Sequence, residues 1–121
     1  MTNAIVLLLI SDSVARVVIQ EVLEHGGYSV MPAGDLGTAV ERLSKAKPDL
    51  LIISPYIENI SGYDTAQFLR TKCHGLPVLM VGGLIDDDRL AYRLELEGFE
   101  VFPAPYTATE LLSKVKDVLS R

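Results

Sequence analysis

Residues 4–13 read Ala-Ile-Val-Leu-Leu-Leu-Ile-Ser-Asp-Ser, an unbroken apolar run that gives way abruptly to small and polar side chains. An uninterrupted run of this length, bounded by turn formers, is the pattern of a strand covered on both faces, as in a parallel sheet. It is far too short for a membrane span, which needs about 20 apolar residues. No basic stretch precedes it and no small-residue cleavage site follows, so it does not read as a signal peptide. Working outward, similar runs lie in Asp49–Ile53 and Val78–Val81, with shorter ones at Tyr28–Met31 and Glu100–Phe102. Between and after them come segments of helical period, about Ser13–His25, Leu36–Ala46, Gly62–Cys73, Asp87–Glu97 and Ala108–Ser120. Asp35 is placed to cap the second helix, and Thr107 with Glu110 forms a capping box for the last. Gly26-Gly27, Gly75 and Gly98 follow helix ends, where a left-handed residue is wanted.

Regular alternation of strand and helix implies right-handed crossovers, a parallel sheet and helices on both sides. Pro32 and Pro103 fall at the ends of the second and fifth strands, and proline is tolerated at sheet edges. The expected fold is α/β, flavodoxin-like, a (βα)5 doubly wound five-stranded sheet; the prolines fit the order 2-1-3-4-5 only weakly, and the family resemblance given below carries most of its weight. Its ligand crevice would open where the first and third strands diverge, between Asp12 and Ser54. No repeat or linker interrupts residues 1–121, which read as a single domain.

With 121 residues, 49% hydrophobic and 22% charged, the composition is that of a globular protein. A net charge of −5 argues against direct nucleic-acid binding, which draws on a basic surface. The lone Cys73 excludes an internal disulfide and a cysteine metal cluster, and its helical stripe makes it a buried small hydrophobe. No membrane association is expected, and the localisation expected is cytoplasmic.

The residues at the carboxyl ends of the strands are small or neutral: Ser11 beside Asp12, Ser54, Gly82, and Ala104 before Pro105. Read in order, the surrounding segments resemble the receiver domain of bacterial two-component response regulators over essentially the whole chain. That family places an acidic pair after its first strand, a phospho-accepting Asp after its third, Ser or Thr after its fourth, and Lys-Pro after its fifth. Carried onto this sequence, Ser11-Asp12 keeps one acid of the pair, and Ser54 stands where the accepting Asp belongs. Gly82 replaces the hydroxyl residue, and Ala104-Pro105-Tyr106 replaces Lys-Pro-Phe around a bond that is cis in the family. Val101 stands at the family's mobile aromatic position. Ile57-Glu58-Asn59-Ile60-Ser61-Gly62 follows the family's Met-Pro-x-x-x-Gly loop, with Glu58 in place of proline and Gly62 retained. The resemblance therefore implies the frame of a receiver with its phosphorylation pocket degenerate.

In the family Mg²⁺ is held by three carboxylates and the carbonyl two residues after the accepting Asp. Here only Asp12 and the Tyr56 carbonyl would remain, so Mg²⁺ binding is expected to be lost or very weak, and no cofactor is expected. Each position also has a plainer reading. Ser54 would satisfy backbone groups at a strand end. Asp12 would cap the first helix. Gly82-Gly83 would give a loop backbone freedom, and Asp86-Asp87-Asp88 would sit at the positive end of a helix dipole. His25 and His74 lie at helix ends, away from the crevice.

The expected function is that of an atypical receiver acting as a phosphorylation-independent protein–protein interaction module, not an enzyme. Its partner would be a signalling protein or a fused output or kinase domain. By the resemblance, output passes through the fourth helix, fifth strand and fifth helix, a face that would also serve a homodimer. Tyr92 and Leu96, opposite the inward Leu90, Ala91 and Leu94, are the expected anchors, with Lys114 pointing outward on the fifth helix. Phe68 and Val17 are the next exposed apolar candidates. The alternatives are a small ligand or nucleotide bound in the crevice, or phosphorylation of Ser54 by a Ser/Thr kinase.

Overall fold

The computed structural model describes residues 4–82 and 88–121. Five parallel strands form one sheet: β1 (Ile5–Leu9), β2 (Ser29–Ala33), β3 (Leu50–Ile53), β6 (Val78–Val81) and β7 (Phe99–Phe102). Their order is β2-β1-β3-β6-β7, the doubly wound flavodoxin-like order that the family resemblance implied. A two-stranded antiparallel hairpin, β4 (Tyr56–Ile57) and β5 (Ile60–Ser61), lies between β3 and the third helix. The helices are α1 (Ser13–His25), α2 (Leu36–Leu43), α3 (Gly62–Arg70), α4 (Asp88–Leu96) and α5 (Ala108–Leu119).

The sheet separates two apolar cores. On one side Val6, Leu8, Leu50, Ile52 and Leu79 pack against Ile19 and Leu23 of α1 and Leu111, Val115 and Val118 of α5. On the other, Leu7, Leu9, Leu51, Ile53, Val78 and Phe99 meet Ala39, Ala66, Leu69 and Leu94 of α2, α3 and α4. Alternate residues of each strand serve opposite cores, so every side chain of Val6–Leu9 and Leu50–Ile53 is fully buried. Cys73 is buried in the second core as a free thiol, as its stripe implied.

Several ends differ from expectation. Both α2 and α3 stop earlier than the hydrophobic period suggested, at Leu43 and Arg70. The hydroxyl of Ser44 donates to the Glu41 carbonyl at 2.6 Å, and that of Thr71 to the Phe68 carbonyl at 2.6 Å. These side chains take carbonyls that would otherwise carry the helix onward. Pro32 lies inside β2 and not at its end, opposite Leu8. It is tolerated because β2 is an edge strand, and its carbonyl accepts from Arg42 Nε at 3.0 Å. After α1 it is Gly27, at φ +95°, that takes the left-handed conformation, while Gly26 remains right-handed. Gly83, Asp86 and Asp87 lie outside the described residues, as does the side-chain position expected for Leu90.

One side chain ties the far ends of two helices together. Arg70, the last residue of α3, donates from Nε to the Leu76 carbonyl (2.8 Å) and from Nη2 to the Glu97 carbonyl just beyond α4 (2.7 Å). Its Nη1 also reaches Gln67 Oε1 at 3.3 Å.

Candidate functional site

The crevice begins where β1 and β3 end. Ser54, one residue past β3, is 92% buried, at 8% exposure, and its hydroxyl is committed to backbone on both counts. Its Oγ accepts from the Ser11 amide (3.1 Å) and donates toward the Leu9 carbonyl (3.4 Å), while its own amide donates to that same carbonyl at 3.1 Å. Ser54 thus closes the gap left where the two parallel strands separate. The Ser11 hydroxyl in turn leans toward the Tyr56 carbonyl at 3.4 Å.

Asp12 is the N-cap of α1, with extended backbone and Oδ1 accepting from the Val14 amide at 3.3 Å. Favourable placement of a carboxylate at the positive end of a helix accounts for it without a metal. One carboxylate, the Ser11 hydroxyl and the Tyr56 carbonyl are a thin donor set for Mg²⁺, which favours near-octahedral oxygen ligation. Among the described residues, no three His, Cys, Asp or Glu side chains are grouped to hold a metal ion. On the opposite flank, Arg16 Nη1 donates to the Ile10 carbonyl at 2.7 Å, beneath Gly34.

Among the described residues, the remaining crevice positions, Gly82 and Ala104, carry no reactive side chain. Gly82 follows β6 at φ +92°, and its amide donates to the Phe102 carbonyl at 2.9 Å. Ala104 is exposed and joined to Pro105 by a cis peptide bond. Tyr106 leans on Phe102 with ring centroids 5.1 Å apart, and burial pushes its phenol above the usual value. His25 is exposed at the end of α1, and His74, expected at a helix end, is exposed in the turn that follows α3, which stops at Arg70; both lie away from this cluster.

Gly62 shows why the loop after β3 needs a glycine at its close. A Cβ there would collide with the Ser54 carbonyl oxygen and lie 3.2 Å from that of Pro55. Its amide donates to the Pro55 carbonyl at 2.6 Å, so the start of α3 is pressed directly onto the crevice wall.

The second candidate surface is α4–β7–α5. Tyr92 and Leu96 are 65% and 72% exposed on α4, while Leu94 is buried against the sheet, as the helical phase predicted. Lys114 differs from expectation. It does not stand free on the outside of α5: its Nζ pairs with Glu100, which is buried on β7, and Arg121 pairs with the same carboxylate. A buried carboxylate is costly unless paired, and the cations of α5 and the residues after it meet that demand. Glu100 was legible only as a strand residue; its inward direction follows from the register opposite Leu79, on the side of the α1/α5 core.

Comparison with known proteins places this geometry in its family. Residues 6–116 match the family described as Response regulator receiver domain, and the chain belongs to it. Over 116 residues it is 27% identical to the alkaline phosphatase synthesis transcriptional regulatory protein PhoP of Bacillus subtilis, covering 95% of this chain and 48% of that protein. It is 26% identical over 110 residues to the response regulator MprA of Mycobacterium leprae, covering 91% of this chain and again 48% of the relative. The chain therefore spans about half the length of these curated relatives. Among solved structures, the chemotaxis response regulator CheY4 of Vibrio cholerae superposes with a TM-score of 0.80 at 22% identity, over 97% of this chain and 99% of that one. A response regulator receiver domain protein of Clostridium thermocellum gives 0.81 at 21% identity, over 98% and 95%. These two likenesses speak for the fold.

Proposed function

We propose that this is a degenerate receiver domain, one that keeps the two-component signalling frame but no longer switches by aspartyl phosphorylation. In this reading it is not an enzyme and works as a protein–protein interaction module. The observation that carries the proposal is the engagement of Ser54. Where the family's accepting carboxylate would face the crevice, a short hydroxyl is turned into the sheet and used as a backbone bridge. Two neighbours support the same conclusion. Gly82 offers no hydroxyl, and Ala104 offers no ammonium to stabilise charge on a transferring phosphoryl group. The burial of Ser54 Oγ also argues against a Ser/Thr kinase using it as an acceptor. The partner would be another signalling protein or an output or kinase domain in the same polypeptide, met on the α4–β7–α5 face at Tyr92 and Leu96. Lys114, already paired with Glu100, would contribute there mainly by holding α5 in place.

Incubation with acetyl phosphate and Mg²⁺ tests the proposal. The intact mass should stay unchanged, and melting curves with and without millimolar Mg²⁺ should coincide. A stable single phosphoryl adduct, or a metal-dependent rise in melting temperature that Asp12→Asn removes, would refute it.

A further inference from the structure

The tip of the β4–β5 hairpin holds two consecutive non-glycine residues in the left-handed region, Glu58 at φ +54° and Asn59 at φ +74°. This is the two-residue turn whose twist matches paired strands, and Asn suits it far better than Glu does. A glutamate in this conformation is strained and needs something to hold it there. The holding contact comes from outside the hairpin: Glu58 Oε1 accepts from the backbone amide of Leu36, the first residue of α2, at 3.3 Å. The Leu36 amide is one of the donors that a helix start leaves unmatched, and Asp35 already serves another, the Thr38 amide at 2.7 Å. The two carboxylates thus divide the first turn of α2 between them. One belongs to the helix's own cap and the other is supplied by the loop that follows Ser54.

We infer that Glu58 is a positioning residue, a latch that fastens the β3–α3 loop to the N-terminus of α2 and fixes the wall of the crevice with no ligand in it. The loop is held at three points. Ser11 Oγ meets the Tyr56 carbonyl on the crevice side, Glu58 meets α2 on the far side, and the Gly62 amide closes the loop on the Pro55 carbonyl. Ile57 lies between them, buried in the core shared with Ala39 of α2 and Ala66 of α3, so hairpin and helices are packed as one body. Proline at position 58, with φ locked near about −65°, is incompatible with the observed backbone. The latch is therefore available to this chain because residue 58 is free to turn left-handed. The inference stands whether or not the domain has lost phosphorylation.

Three substitutions separate the backbone from the carboxylate. Glu58→Gly keeps the left-handed turn and deletes the acceptor; Glu58→Gln keeps an uncharged acceptor; Glu58→Pro deletes the acceptor and forbids a left-handed residue 58. Amide exchange measured by NMR should rise at Leu36 by roughly three- to tenfold in Glu58→Gly, the range expected for one lost hydrogen bond, with Glu58→Gln between it and the parent. The cross-strand contact between Ile57 and Ile60 should persist in Glu58→Gly. Unchanged Leu36 exchange in Glu58→Gly would overturn the inference. So would a Glu58→Pro protein, which also lacks the carboxylate, whose Leu36 amide exchanges as slowly as the parent's.

Discussion

Ser54 and Gly62 stand eight residues apart in sequence and touch across one carbonyl oxygen. Their side chains, a hydroxyl turned inward and a missing methyl, shape the crevice as much as any charge does. Gly62→Ala should destabilise the fold by about 1–3 kcal/mol, the usual cost of forcing a group into closed packing. Denaturant unfolding would measure it, and a stability equal to that of the parent would mean that α3 can move off the crevice wall. The roles of Ser54 and Asp12 as bridge and cap follow from residue type and from position at a strand end. The pairing of Lys114 with Glu100 did not, because periodicity tells which face of a helix a lysine takes but not which buried acid waits beneath it.

At the scale of elements, the strands were readable because a doubly covered strand must be apolar on both faces, whereas their order rested mainly on the family resemblance. Helix starts were equally clear, since Asp12, Asp35 and Thr107 each cap where expected. The hairpin was not: two residues per strand carry no periodic signal, and its left-handed turn rests on contacts with α2 that lie 22 residues away in sequence. The cap of α2 makes a pH prediction. The Thr38 amide, then the Thr38 side chain, and more weakly Arg16, hold the Asp35 carboxyl below its ordinary value. A lowered folded value means that the contribution is fully present above the ordinary carboxylate range and is lost as pH falls through the lowered value. Asp35→Ala should therefore lower the melting temperature at neutral pH. Comparing parent and variant by thermal melting, the gap should narrow on acidification; a gap that widens would contradict the assignment.

The whole molecule is one sheet between two cores, with a crevice at one end and an exposed aromatic–aliphatic pair on a side helix. Tyr92→Ser combined with Leu96→Ser should leave the melting temperature nearly unchanged, because both side chains are solvated. If they anchor a partner, losing them should weaken binding by about 2 kcal/mol or more. A pull-down from the native host followed by titration with the recovered protein would measure this. Unfolding of the double variant would show that the two side chains support the core instead.

Arg70 gives α4 a fulcrum. Its guanidinium grips the carbonyl at the helix's trailing end, next to Leu96, and anchors the turn before β6 with the same fork. A pin at Glu97 resists sliding of α4 along its axis, so a load applied at Tyr92 would act about that point. Arg70→Met keeps the apolar stem but releases the pin. Hydrogen exchange should then quicken at the Glu97 end of α4 while α1 and α5, across the sheet, keep their protection. Equal quickening on both sides of the sheet would mean that the arginine supports the entire fold and that the helix has no pivot of its own.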